Sequence, residues 1–309
     1  MAKWSATDIP DQAGRTVVIT GASSGLGLRS AEALAAKGAR VLLACRNPDK
    51  AAIALEGVKA RATAAEPEVR LLDLGSLASV RACAEQLKDE LDHLDVLMNN
   101  AGIMAVPRAT TADGFESQLG TNHLGHYALT GLLLPTLLAA EAPRVVTVSS
   151  NAHKLGRMRF DDLFSEHRRY SRWGAYAQSK LANLLFSSEL QRQAVEHRTP
   201  LTSVAAHPGY AATNLTSGPA VGAAVLKPFL SLGDRLVGQP DHTGALPQLY
   251  AATMPDVLAD DYWGPDSFRE QRGHPTRVGR TDRAADVDAA ARLWARSEEL
   301  TGVTYPWPG

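Results

Sequence analysis

The chain has 309 residues, 45% hydrophobic and 21% charged, with a formal net charge of −1. That is enough apolar material for a large core, and the near-neutral balance excludes the basic footprint of a nucleic-acid-binding surface. The two cysteines, Cys45 and Cys83, sit in apolar stretches without metal-ligand spacing, so buried, reduced thiols in a reducing compartment are expected.

The first residues include Asp8 and Asp11 and no apolar core, unlike a signal peptide. Short apolar runs follow at 16–20, 40–44, 69–72, 96–98, 144–148 and 202–206. They are rich in Val, Leu and Ile and lack period-two alternation, which predicts strands buried on both faces of a parallel sheet. Helical patterns at 26–37, 48–60, 77–91, 115–140 and 175–196 lie between them. The alternation predicts an α/β, Rossmann-like, doubly wound sheet with helices on both faces. The greasiest stretch, 127–140, contains Pro135 and is too short to span a bilayer, so a cytoplasmic chain without a transmembrane segment is expected. The pattern changes after Thr213. Residues 214–243 are small and apolar with several glycines and Pro219, Pro228 and Pro240, and read as a lid-like insert; 284–300 reads as a last helix. One domain over 1–309 is expected, with a cofactor-binding half at about 14–150 and a catalytic and substrate-binding half at about 151–309.

"VVITGASSGLG" places Gly21, Ser23, Ser24, Gly25, Leu26 and Gly27 between the first strand and the first helix. Glycines there let the backbone turn tightly and approach a pyrophosphate, whose charge meets the helix N-terminus. The second strand ends in "LLACRN", where Arg46 stands in place of the acid that a free ribose 2′-hydroxyl would favour. A guanidinium can pair a 2′-phosphate, so NADP(H) is preferred over NAD(H). Asp73 and Leu74 in "LLDLGS", and Asn100, Ala101 and Gly102 in "LMNNAG", fall at two further strand ends where such a cofactor would lie. Each is also an ordinary turn sequence; their joint placement favours the cofactor.

"GAYAQSKLAN" puts Tyr176 and Lys180 one helical turn apart, after the serine pair Ser149 and Ser150. Positions i and i+4 share a face, and a nearby ammonium lowers a phenol's pKa from its usual value near 10. Alone, the pair could be a packed ring and a solvated amine. His123, His126 and His153 lack metal spacing, and the first two are expected to pack on a helix.

Taken in order, TGASSGLG, NNAG, Asn122 in "TNHLGHY", Ser150 after "VVTVS", YAQSK and "HPGYAATNL" resemble the short-chain dehydrogenase/reductase family over roughly residues 14–215. "LLACRN", "TNHLGHY" and "AHPGYAATNL" are similar to the branch of retinol dehydrogenases, protochlorophyllide reductases and WW-domain oxidoreductases, as is the long 151–173 insertion before Tyr176. The resemblance implies an oxidoreductase that interconverts an alcohol and a carbonyl. It implies Tyr176 as general acid/base, with Lys180 also bonding the nicotinamide ribose. Ser150 would hold the substrate oxygen, with Ser149 as fallback, and Asn122 a water in a proton relay through Lys180. Pro208 and Gly209 would bring Thr213 to the carboxamide. The apolar lid residues Leu215, Val225, Leu226, Phe229, Leu230 and Leu232 suggest a lipophilic substrate. Leu181, Leu184, Leu185 and Phe186 continue the Tyr176 helix and would serve either the sheet or a homodimer contact. Three rivals stand beside this. A nucleotide sugar epimerase or dehydratase shares the Tyr/Lys pair but has other glycine spacing. A non-catalytic NADP(H)-sensing regulator need not keep all four of Asn122, Ser150, Tyr176 and Lys180. A methyltransferase also has a glycine loop but no need of the Tyr/Lys pair.

Overall fold

The central strands form because Val-, Leu- and Ile-rich segments cannot stay in water, and in β1, β2 and β4 both faces are covered. The computed structural model describes residues 3–209, 240–267 and 269–308. It contains β1 (Thr16–Thr20), β2 (Arg40–Cys45), β3 (Glu68–Leu71), β4 (Val96–Asn99), β5 (Arg144–Val148), β6 (Thr202–Ala206), β7 (Tyr262–Ser267) and β8 (Arg272–Arg277). They make one sheet in the order β3-β2-β1-β4-β5-β6-β7-β8, parallel except for the antiparallel pairing of β8 with β7. This is the expected doubly wound α/β arrangement. Its order reverses direction beside β1, between β2 and β4, where open sheets bind ligands at their carboxyl ends.

The helices are α1 (Gly25–Ala35), α2 (Pro48–Lys59), α3 (Leu77–Glu90), α4 (Ser117–Leu119), α5 (Gly125–Leu132), α6 (Leu134–Leu138), α7 (Arg172–Glu196), α8 (Asp241–Gly244), α9 (Leu246–Thr253) and α10 (Val287–Thr301). One core layer joins α1, α2 and α9 to the sheet through Leu34, Val58, Leu249, Val17 and Val41. The opposite layer joins α3, α5 and α7 through Leu87, Tyr127, Leu190 and Leu97.

The single helix predicted over 115–140 is broken. A π-turn, Gly120–Leu124, separates α4 from α5, and α6 starts anew around Pro135. Gly125 approaches β3's exit so closely that a Cβ would lie 2.4 Å from the Leu74 carbonyl oxygen. A proline ring cannot follow an unbroken turn without meeting the carbonyl four residues back. The helix of Tyr176 starts three residues before its predicted first residue, because Ser171 caps it by accepting from the Gly174 amide at 3.1 Å.

The β7–β8 hairpin lies beyond the predicted strands. No strand signal is present there, since Pro265 and Pro275 stand in its two arms. They face each other in register, a position where neither nitrogen must donate. Leu181, Leu184, Leu185 and Phe186 are all buried. Leu181, Leu184 and Leu185 pack with Leu293 of α10, and Phe186 stacks on Trp294 with ring centroids 6.0 Å apart. A homodimer through these residues would have to displace α10.

Candidate active site

The glycine turn is built by steric necessity. Gly21 and Gly25 have φ of 69° and 54°, in the left-handed region that favours glycine. At Gly27 a Cβ would lie 2.5 Å from the Gly21 carbonyl oxygen. Ser24 precedes α1 without capping it, so the first-turn amides keep their hydrogens for another acceptor. Ser23 bonds the buried Cys45 thiol, which burial nonetheless pushes up to about 11. Cys83 is likewise buried and pushed up to about 11, and both cysteines are free.

Thr20, at the end of β1, organises the loop after β4. Its Oγ1 accepts from the Asn100 amide at 3.0 Å and from the Ala101 amide at 2.9 Å. Its hydroxyl hydrogen then points to His126 Nε2, 2.9 Å away. With Nε2 accepting, His126 carries its proton on Nδ1 and donates to the Asn122 carbonyl at 2.9 Å. Thr20 and His126 are thus structural parts of the site that residue type and spacing did not reveal. Asn100 is also committed: Nδ2 donates to the Thr20 carbonyl at 2.8 Å, and Oδ1 accepts from Gln248 at 3.1 Å.

At the carboxyl end of β5 the two serines part. Ser149 donates to the Lys180 carbonyl at 2.8 Å. Ser150 opens the 3-10 turn Asn151–Leu155, its Oγ accepting from the Ala152 amide at 3.2 Å, and lies close enough to the Tyr176 hydroxyl to pull that phenol's pKa down. Lys180 Nζ is buried, donates to the Val148 carbonyl at 3.0 Å, and lies 5.8 Å from the Tyr176 ring centroid. Gly102 sits beside it; a Cβ there would be 3.5 Å from Nζ. The structure therefore gathers Gly102, Asn122, Ser150, Tyr176 and Lys180.

Two electrostatic expectations change. Burial raises the Tyr176 phenol above its ordinary value, and the Ser150 bond only partly offsets that. Lys180 does not reverse it, because its amine points to Val148; burial lowers Lys180 itself to about 8. Asn122 also has no free side-chain hydrogen for a relay water. Its Oδ1 accepts from the Ile103 amide at 2.8 Å, while Nδ2 donates to the Ile103 carbonyl at 3.0 Å and to Ser179 at 2.9 Å.

Asp73 Oδ1 accepts from the Gly75 amide at 2.9 Å, and the Leu74 side chain is in the core; both follow β3. Arg46 is exposed just beyond β2. Gly209, with φ 69°, donates to His207 Nδ1 at 3.2 Å, and Pro208 lies between them. Thr213 and the apolar residues from Leu215 to Leu232 lie outside the described residues; of the lid-like segment only 240–243 is described.

The uncapped α1 N-terminus, the close-packed glycines and a buried lysine facing no carboxylate suit a dinucleotide with its pyrophosphate and ribose. Among the described residues no His, Cys, Asp and Glu cluster could hold a metal ion, and no helix is long and apolar enough to cross a membrane.

Such a site on such a sheet suits a nicotinamide-dependent oxidoreductase. A family model described as short chain dehydrogenase matches residues 15–219, and the chain belongs to that family. It is 38% identical over 300 residues to retinol dehydrogenase 13 of Homo sapiens, covering 95% of this chain and 86% of that protein. To retinol dehydrogenase 14 of Homo sapiens it is 39% identical over 305 residues, covering 94% and 87%. A crystal structure of an uncharacterised protein from Mycobacterium paratuberculosis superposes with a TM-score of 0.82 at 48% identity, covering 99% of this chain and all of that one. A short chain dehydrogenase from Shigella flexneri complexed with NADP shares the fold, with a TM-score of 0.63 at 23% identity over 81% of this chain and 95% of that one. The chain is an oxidoreductase acting on CH–OH or C=O groups with a nicotinamide cofactor.

The helical histidines predict an acid sensitivity. Burial holds His123 down to about 3 and His126 down to about 4, from 6.5. Below the unfolded value each binds fewer protons in the folded chain than in the unfolded one, so stability is complete at pH 7 and falls as pH drops. The loss is about 1.4 kcal/mol per pH unit per histidine until the folded pKa is reached. Urea midpoints at pH 7 and pH 5 check this; equal midpoints would contradict neutral, buried rings.

Proposed function

We propose that this chain interconverts an alcohol and a carbonyl on a lipophilic substrate with NADP(H), using Tyr176 as the proton donor and acceptor. The observation that carries the reading is the convergence of Tyr176, Ser150 and Lys180 beside Gly102, at the carboxyl ends of β4 and β5. When bound, the nicotinamide supplies or accepts the hydride. Tyr176 gives its phenolic proton to the carbonyl oxygen in reduction and takes it back in oxidation. Ser150 donates to the same oxygen and fixes its place. Lys180, an ammonium at neutral pH, favours negative charge nearby and bonds the nicotinamide ribose. Asn122 holds the Ile103 segment against Ser179 and so shapes the floor beside Lys180.

Gly21, Ser23, Ser24, Gly25, Leu26 and Gly27 would hold the pyrophosphate, Arg46 the 2′-phosphate, Asp73 and Leu74 the adenine, and Asn100, Ala101 and Gly102 the ribose side. Pro208, Gly209 and Thr213 would lie by the carboxamide. Residues 14–150 would then act as the cofactor half and 151–309 as the substrate half of one domain.

A lipophilic substrate is supported at the site's mouth. Trp173 is 62% exposed yet packs edge-on against Tyr176, with ring centroids 6.1 Å apart. Leu155, in the Ser150 turn, is 83% exposed. The retinol dehydrogenases above act, by their names, on a substrate of that character.

Fluorescence titration with NADPH and NADH, followed by a panel of carbonyl compounds, tests the reading. Tighter NADPH binding and turnover of large apolar ketones or aldehydes are expected. Turnover of small polar carbonyls alone would refute the lipophilic pocket, and binding of neither cofactor would move the function to a protein acting through partners.

A further inference from the structure

The β7–β8 hairpin turns beside the site. Arg269 and Glu270 both have left-handed backbone, with φ of 54° and 60°, a conformation that non-glycine residues adopt only when contacts hold it. Glu270 makes those contacts with two separate segments. Its Oε2 lies 2.9 Å from Lys154 Nζ and 3.4 Å from His207 Nε2. Its main-chain carbonyl accepts from Asn151 Nδ2 at 3.1 Å.

Asn151 and Lys154 belong to the 3-10 turn that Ser150 caps. His207 follows β6. Its Nδ1 accepts from the Gly209 amide at 3.2 Å, so the neutral ring carries its proton on Nε2, facing Glu270. Gly209 packs so tightly on the hairpin that a Cβ there would lie 2.3 Å from the Gln271 carbonyl oxygen. A part-exposed Lys154–Glu270 pair alone contributes little. The Asn151 bond goes to the Glu270 main chain, while the carboxylate faces Lys154 on the Ser150 turn and the buried His207 ring at the exit of β6, so one residue is the common partner of both segments.

We propose that Glu270 is a positioning residue: it ties the Ser150 turn to the exit of β6, so that the donor to the substrate oxygen stays in register with the chain that leaves β6. The inference rests on the proposed role of Ser150 as that donor. Hydrogen exchange decides the tie without reference to activity. In E270A combined with Asn151→Ala, which removes both the carboxylate and the donor to the residue-270 carbonyl, peptides covering 150–156 and 203–209 are expected to exchange at least roughly tenfold faster together, with β1 and β4 unchanged and E270A alone showing a smaller rise. Misplacement of the donor is expected to lower kcat by roughly 10- to 100-fold. NADPH Kd stays within about threefold, so loss of kcat without loss of cofactor separates positioning from general unfolding. E270Q, which keeps the side chain's shape, should show the same changes more weakly, and E270D should recover part of the rate. Parental exchange in either segment of the double variant overturns the proposal, as does a kcat within about twofold of the parent's despite faster exchange. A parent with no turnover on any carbonyl overturns the function reading instead, and exchange then decides the tie alone.

Discussion

Tyr176→Phe is expected to lower kcat by roughly 10²- to 10⁴-fold and to leave NADPH binding nearly unchanged. The substitution removes one hydroxyl and keeps the ring that packs against Trp173. Ser150 still accepts from the Ala152 amide at 3.2 Å, so the turn that presents it survives. Near-parental activity in the mutant would remove Tyr176 from the mechanism. The raised phenol pKa adds a direction. At neutral pH the phenol is protonated and ready to act as the acid in reduction, whereas oxidation needs the phenolate. The oxidation rate should therefore climb with pH through the alkaline range while reduction stays flat about neutrality. An oxidation rate independent of pH up to about 10, the ordinary phenol value, would count against the assignment.

Arg46→Asp is expected to lower the NADPH-over-NADH preference by roughly 10- to 100-fold, the worth of one or two charge-assisted hydrogen bonds. Arg46 is placed for this by its neighbours. β2 ends at Cys45, and Asn47 caps α2 by accepting from the Lys50 amide at 2.8 Å. The backbone between is thus held, while the exposed guanidinium has no hydrogen bond or ion pair among the described residues. The new carboxylate would repel a 2′-phosphate and accept from a free 2′-hydroxyl. Titration of both variants with both cofactors reads the ratio directly. An unchanged ratio would leave Arg46 a solvated strand-end residue and the cofactor preference without a source.

Several parts of this site are legible in the amino-acid sequence. β1, β5 and β6 match the apolar runs residue for residue, because a strand covered on both faces keeps small and β-branched residues along its buried length. The glycine turn and the pairing of Tyr176 with Lys180 follow from residue type and spacing, the choice of Ser150 over Ser149 follows from the family resemblance, and the structure places Ser150, Tyr176 and Lys180 near one another. Other parts are not legible. His126 looks like one more residue of an apolar helix; the Asn122 carbonyl fixes its proton on Nδ1, and the approach of Thr20, from a strand 106 residues away, gives Nε2 its task. The break at Gly120–Leu124 has Gly120 packed against Thr111 and Gly125 against Leu74 at its two ends, neighbours that no helical pattern encodes.

The amino-acid sequence by itself determined the parallel core of the sheet and the glycine turn, and it named the side chains proposed to react. These depend on local periodicity and on residue chemistry, which a chain states position by position. The tertiary structure decided the protonation balance of Tyr176 and Lys180, the direction of the Lys180 amine toward Val148, the commitment of Asn122 to Ile103, and the joining of Glu270 to the Ser150 turn. Burial and hydrogen-bond partners set each of these, and both come from segments distant in the chain.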